Sequence, residues 1–275
     1  MSEASLGEIR PPKNIAATAR AKGKTKAELD APVLLMLALL AGAYIAFGGL
    51  FAMTALAGTA ESLPFGPAQV LAGVAFSLGL ILVLLGGAER FTGNMLLVVA
   101  WAEGRAGFAP ILWALLLAYA ANFVGSLAIV LLAYAANLHM AGDGAVGAAA
   151  LAAATRKVEL GFGAALASGI LANMLVCLGV WLAFGARSAA DKVLVIIPPI
   201  AAFVAMGLEH SVANMSLIPF GWLVQGSNGP IDLGGNLVPV TIGNIIGGVG
   251  IGLAYWFAYL RPHHAGADRE TPTGC

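Results

Sequence analysis

Two nine-residue strings carry the residues of this 275-residue chain that could do chemistry inside an apolar environment. The first is Gly87-Ala88-Glu89-Arg90-Phe91-Thr92-Gly93-Asn94-Met95, and the second is Gly207-Leu208-Glu209-His210-Ser211-Val212-Ala213-Asn214-Met215. They share Gly-x-Glu-x-x-x-x-Asn-Met, 120 residues apart. Each sets a carboxylate and a helix-loosening glycine within a hydrophobic run, where both are costly. Interrupted hydrophobic segments at matching positions in two halves of a chain point to a transport path. Glu89 and Glu209 have two readings: they handle substrate or protons, or they accept hydrogen bonds from freed N–H groups and hold a bend. The recurrence of the same residue at both breaks favours the structural role. His210 stands opposite Arg90 in the repeat, so duplication does not account for it. An intramembrane histidine that titrates near neutrality marks a functional site by default. The alternative is a neutral buried imidazole bonded to Asn173 or Asn214.

The elements around these strings must be membrane helices. Sixty per cent of residues are hydrophobic and 10% charged, against about 25% charged in soluble domains. A net charge of zero excludes a basic nucleic-acid binder. Cys177 and Cys275 give no disulfide framework, and no metal or cofactor site is expected. Apolar runs of bilayer length fall at 33–57, 67–101, 109–137, 159–184, 193–224 and 236–260. The second and fifth are too long for one straight crossing and carry the glutamate strings, so each is expected to be two half-helices joined by a bend. Eleven of the 14 basic residues fall before the first run or in the loops and tail on the same side, which places both termini in the cytoplasm. Residues 1–32 then form a cytoplasmic segment, 33–260 the membrane domain and 261–275 a cytoplasmic tail.

The duplication extends further. Asn122-Phe123-Val124-Gly125-Ser126 in the third run and Asn244-Ile245-Ile246-Gly247-Gly248 in the sixth share Asn-x-x-Gly-small, 122 residues apart. Two halves of three spans each must point in opposite directions, giving an all-α inverted repeat whose broken helices meet near the midplane. Half-helix ends there present N–H groups and positive dipole ends that suit anions. Arg156 and Lys157 are the only basic residues on the outer side; they either attract anions or snorkel to headgroups. A haem subunit would need paired histidines on facing helices, whereas His139 lies at a span end and His263 and His264 in the tail. Ser211 adjoins His210 on one segment and lacks the partner of an intramembrane protease. Neither break has the Asn-Pro-Ala of a water channel. The chain is therefore not expected to be an enzyme.

The strings GLILVLLGGAERFTGN (79–94), GILANMLVCLGVWLAFGARSAADK (169–192), GLEHSVANM (207–215) and NLVPVTIGNIIGG (236–248) resemble the formate/nitrite transporter family. The resemblance implies an aquaporin-like fold in the cytoplasmic (inner) membrane and a homopentamer with one pore per protomer. It makes His210 the central pore histidine, places Thr92 in the loop breaking the second span, and makes Asn173 pore-lining. Phe76, Leu80 and Phe203 fall on hydrophobic constrictions, and Lys157 on the vestibule lysine. Asn214 and Asn244 complete the candidate pathway, and residues 13–30 correspond to a cytoplasmic gating helix. The substrate implied is a small monovalent weak-acid anion, formate first, with nitrite, hydrosulfide, acetate and lactate as competitors. Passage is expected to be proton-coupled, a passive anion channel being the alternative. One departure stands out: the family carries an apolar residue where this chain has Arg90. Its guanidinium could bind anions, pair with a carboxylate such as Glu103, or point into the cytosol.

Overall fold

Uniformly apolar segments bounded by glycine, proline and short charged loops make helices that are hydrophobic all round, as membrane spans are. The computed structural model describes residues 9–226 and 232–261; nearly all of the expected tail, with Cys275, His263 and His264, lies outside them. Helix α1 (Pro12–Ala27) is followed by α2 (Ala31–Leu56) and α3 (Phe65–Gly86). After a break, a 3₁₀ turn at Gly93–Leu97 runs into the short α4 (Val98–Ala102). Helix α5 (Phe108–Ala135) closes the first half, and α6 (Ala145–Val158) opens the second. Then come α7 (Phe162–Gly185), α8 (Ala189–Ala205), α9 (Ser211–Gln225) and α10 (Leu233–Tyr259). Among the described residues, α2, α3, α5, α7 and α10 are long and apolar enough to cross a bilayer singly. The sixth crossing is shared by α8 and α9 on either side of residues 206–210.

The two halves pack alike. Helix α2 lies against α3 and α5 as α7 lies against α8 and α10, and α1 packs on Gly93–Ala102 as α6 packs on α9. The repeat unit is therefore a short polar-ended helix plus three crossings. Helix α6 is not expected from the apolar runs, because its alanine-rich sequence ends in Thr-Arg-Lys and is too short to span. The broken segments are less alike than their motifs. In the fifth, 17- and 15-residue helices flank the break. In the second, α3 reaches 22 residues by itself and only ten residues, Gly93–Ala102, follow the break. Glu103-Gly104-Arg105-Ala106-Gly107 ends that short return, with Gly104 at φ +68°.

The paired Asn-x-x-Gly glycines set how closely the halves close up. A Cβ on Gly125 would run into the Leu39 carbonyl oxygen, and one on Gly247 into that of Ile170. Only a bare backbone permits α5 and α10 to approach α2 and α7 so tightly. Facing outward, Phe65, Phe108, Trp113 and Leu132 are more than half exposed, an apolar surface suited to lipid. Gly247→Ala is expected to destabilise the fold by about 1–3 kcal/mol through overpacking. Gly250→Ala, on the same helix with nothing within 4 Å of its would-be Cβ, is expected to be neutral or stabilising by up to about 1 kcal/mol. Thermal unfolding of both variants in detergent checks the contrast.

Candidate functional site

Each break begins with a glycine that reverses the chain. Gly87 ends α3 at φ +75° and Gly207 follows α8 at φ +66°, a left-handed conformation that costs a side chain about 1 kcal/mol or more. The residues beyond cannot continue a helix, so their backbone groups need partners from other elements. Asn122 on α5 and Asn244 on α10 supply them in matching fashion. The Asn122 side chain accepts from the Phe91 N–H at 2.9 Å and donates to the carbonyls of Ala38 at 2.8 Å and Glu89 at 3.1 Å. The Asn244 side chain accepts from the Ser211 N–H at 2.8 Å and donates to the carbonyls of Gly169 at 2.8 Å and Glu209 at 3.1 Å. Asn244, expected in the substrate pathway, thus has all three of these bonds directed to backbone. The Glu209 N–H itself donates to Ser168 Oγ at 2.9 Å.

The glutamate side chains do something other than accept from freed N–H groups. Glu89 Oε2 accepts from Asn94 Nδ2 and from Lys26 Nζ, both at 2.9 Å, and Lys26 also donates to Asn94 Oδ1 at 3.0 Å. Glu209 accepts from Asn214 Nδ2 at 2.6 Å and Asn236 Nδ2 at 3.2 Å through Oε2, and from Lys157 Nζ at 2.9 Å through Oε1. A buried carboxylate is tolerable when paired and hydrogen-bonded, and both are. The lysines come from α1 and α6, the last turns of the short helices that precede each set of crossings. Lys26, Asn122 and Asn236 are missing from the candidate residues read from sequence. The available signal was the placement of Lys26 and Lys157 just ahead of the first span of each half.

His210 lies between the two breaks, 1% exposed. It caps α9: Nδ1 accepts from the Ala213 N–H at 3.2 Å. With Nδ1 accepting, the ring hydrogen of the neutral imidazole sits on Nε2 and is donated to Thr92 Oγ1 at 2.9 Å. The partners expected from sequence, Asn173 and Asn214, are therefore not those observed. Asn173 Nδ2 donates to the carbonyls of Thr92 at 3.2 Å and Asn244 at 2.6 Å. Phe76 and Phe203 meet edge to face, centroids 5.4 Å apart, and the His210 ring stands 5.8 Å from that of Phe203. Leu80, one turn beyond Phe76, is fully buried in the same core.

Cavities open on both sides of this barrier. On the α6 side a space of about 470 Å³ is lined by Lys157, Glu209, Phe76, Phe203 and His210. On the α1 side a space of about 590 Å³ is lined by Lys22, Lys26, Glu89 and Lys192, with a smaller one of about 40 Å³ beside Arg90 and Gly93. Among the described residues, the side-chain bond that joins the two breaks across the middle is that of His210 with Thr92. Of the three fates open to Arg90, two are closed. It is 3% exposed rather than directed into solvent, and Glu103 pairs instead with Arg20 at 3.1 Å.

Comparison with known proteins adds a family to this geometry. The sequence model described as "Formate/nitrite transporter" matches residues 13–257. The formate channel FocA of Escherichia coli strain K12 is 40% identical over an alignment covering 92% of this chain and 96% of that protein. A solved structure described as a pentameric formate channel with formate bound superposes with a TM-score of 0.76 at 37% identity, covering 84% of this chain and 98% of the other. Another, described as an FNT family ion channel, superposes with a TM-score of 0.79 at 29% identity, covering 89% and 98%.

The pairing of Glu209 is testable by removing one partner and then both. Lys157→Met leaves a buried carboxylate uncompensated and is expected to cost about 3–5 kcal/mol. Lys157→Met combined with Glu209→Gln is expected to recover most of that loss. Unfolding of the two variants against the parent chain reads the difference.

Proposed function

Because the chain belongs to the formate/nitrite transporter family, we propose that it carries small monovalent weak-acid anions, formate first among them, by a proton-coupled, channel-like route. It is a multi-pass membrane protein of a transporter family, not an enzyme. The observation that supports the route is the pair of lysine-lined cavities separated by an apolar barrier crossed by one hydrogen bond, His210 to Thr92. We place the α1 side in the cytoplasm, as the lysine and arginine distribution directs, and the chain in a homopentamer like the pentameric formate channel it resembles.

The chemistry follows from the cost of moving charge. A bare anion entering the Phe76–Phe203 contact loses hydration worth several kcal/mol. Lys157 draws the anion into the cavity beyond it. The fall in polarity at the phenylalanines favours the protonated acid over the anion, so a neutral molecule crosses. Inside the barrier the acid needs hydrogen-bond partners. The Thr92 hydroxyl, which accepts from His210 Nε2, has its own hydrogen to give. His210 can take a further proton only at Nδ1, which requires release of the Ala213 N–H; the cap thus resists a fixed positive charge that would trap the anion. The unpaired Oδ1 of Asn173 offers another contact beside Thr92.

Labelled-formate uptake into proteoliposomes across a pH series tests this reading. Uptake is expected to saturate, to rise as external pH falls, and not to be abolished by excess nitrite or hydrosulfide. Uptake abolished by one competitor would move the substrate to that competitor's class, and pH-indifferent uptake would favour a passive anion channel. His210→Phe removes the bond to Thr92 and the α9 cap together. It is expected to slow uptake about tenfold or more, the equivalent of one buried hydrogen bond.

A further inference from the structure

The side chain with the least explained environment is Arg90. Its Nε and Nη2 are buried and have no hydrogen-bond partner among the described residues. These two atoms form one edge of the guanidinium, the edge that grips a two-oxygen anion with parallel N–H bonds. A buried guanidinium without a counter-charge is unfavourable by several kcal/mol, so a partner from outside the chain is called for. The nearby carboxylates are already taken, Glu89 by Lys26 and Asn94, and Glu103 by Arg20.

The surroundings fit a small anion. Arg90 lines the cavity of about 40 Å³ together with Lys22, Lys26, Gly93, Asn94 and Phe184. About 10–15 Å³ of such space takes one water, so the cavity holds an occupant of a few heavy atoms. Gly93 keeps the free edge clear: a Cβ there would meet Arg90 Nη2 at 3.3 Å and Nε at 3.7 Å. Lys22, Lys26 and Arg90 line this space, and the neighbouring Glu89 carboxylate pairs with Lys26. Lys22 stands 5.7 Å above the Phe184 ring. Burial first, then repulsion from Lys26 and Lys192, lowers its pKa from the ordinary lysine value. That crowding of positive charge is what an anion would relieve.

We propose that Arg90, flanked by Lys22 and Lys26, forms a binding site for planar two-oxygen monovalent anions, formate or nitrite, on the α1 side of the His210–Thr92 bond. The site rests on the transport reading for its physiological ligand but not for its chemistry. It selects by shape: a carboxylate or nitrite spans the Nε–Nη2 edge, whereas chloride and hydrosulfide cannot bridge both donors as a planar pair.

Titration calorimetry and thermal unfolding of the full-length chain in detergent, with sodium formate, nitrite or chloride, test the site in the parent, Arg90→Leu and Arg90→Gln. Formate and nitrite are expected to bind and to raise the parent's unfolding temperature, while chloride at equal ionic strength does not. Both variants are expected to lose at least about tenfold in formate affinity, since two charge-assisted bonds are removed. Arg90→Leu is expected to unfold no earlier than the parent without added anion, because an unpaired buried charge has gone; Arg90→Gln serves if the leucine variant does not fold. Formate affinity unchanged in either folded variant, or parent binding no stronger to formate than to chloride, would overturn the site. Labelled-formate and nitrite uptake by the parent is measured alongside. Binding that depends on Arg90 without uptake of either anion would keep the site and remove the transport reading. Uptake with binding indifferent to Arg90 would do the reverse.

Discussion

Phe91 and Ser211 each carry a backbone N–H that, just past a reversed glycine, has no helical carbonyl to receive it. Within a bilayer no water stands ready to take that bond, and an unmet amide there costs several kcal/mol. Asn122 and Asn244 meet it, and each also donates to a carbonyl on a neighbouring helix and to the carbonyl of the motif glutamate. This amide clamp lets two crossings be interrupted without unravelling. It also explains the Asn-x-x-Gly spacing: one turn after the clamp, the glycine brings the same helix against the backbone of its neighbour. The bend, the close packing and the position of His210 all depend on it.

Charge is placed around the clamp with the same economy. Glu89 and Glu209 fix Asn94 and Asn214 through side-chain bonds, and each draws a lysine from a short helix outside the crossings. Helix α1 is thereby fastened to the second segment as α6 is to the fifth. The lysines do double service, since each also lines a cavity on its own side of the barrier. Among the described residues, the neutral His210–Thr92 pair and the amide of Asn173 stand beyond the Phe76–Phe203 contact. A lysine on the wall of each cavity and an apolar, hydrogen-bonding middle suit the proposed solute, which arrives as an anion and crosses as an acid.

Much of this arrangement is written in the sequence because membrane helices announce themselves by length and apolarity, and because the duplicated strings sit where the apolar runs are interrupted. The glycines, asparagines and glutamates of the breaks are legible for the same reason: repetition marks residues with a structural task. What repetition cannot convey is which atom meets which. Glu89 and Glu209 bind amides and lysines rather than backbone, and the partner of His210 is Thr92 of the other break, 118 residues away. Helix α6 escapes notice because alanine-rich segments of 14 residues resemble loops next to long apolar runs. Arg90 is legible only as an anomaly; its burial and the prior engagement of Glu103 by Arg20 are set by tertiary packing.

On the proposed route the permeant species is neutral at the barrier although the substrate is an anion in both cavities. Its most direct test is the ratio of protons to formate moved, read with a pH-sensitive dye trapped in proteoliposomes while a formate gradient is imposed and the membrane potential is clamped at several values. One proton per formate, at a rate unaffected by the clamped potential, is the predicted result. Formate flux that leaves internal pH unchanged and scales with potential would show that the anion itself crosses between Phe76 and Phe203, and would contradict the account.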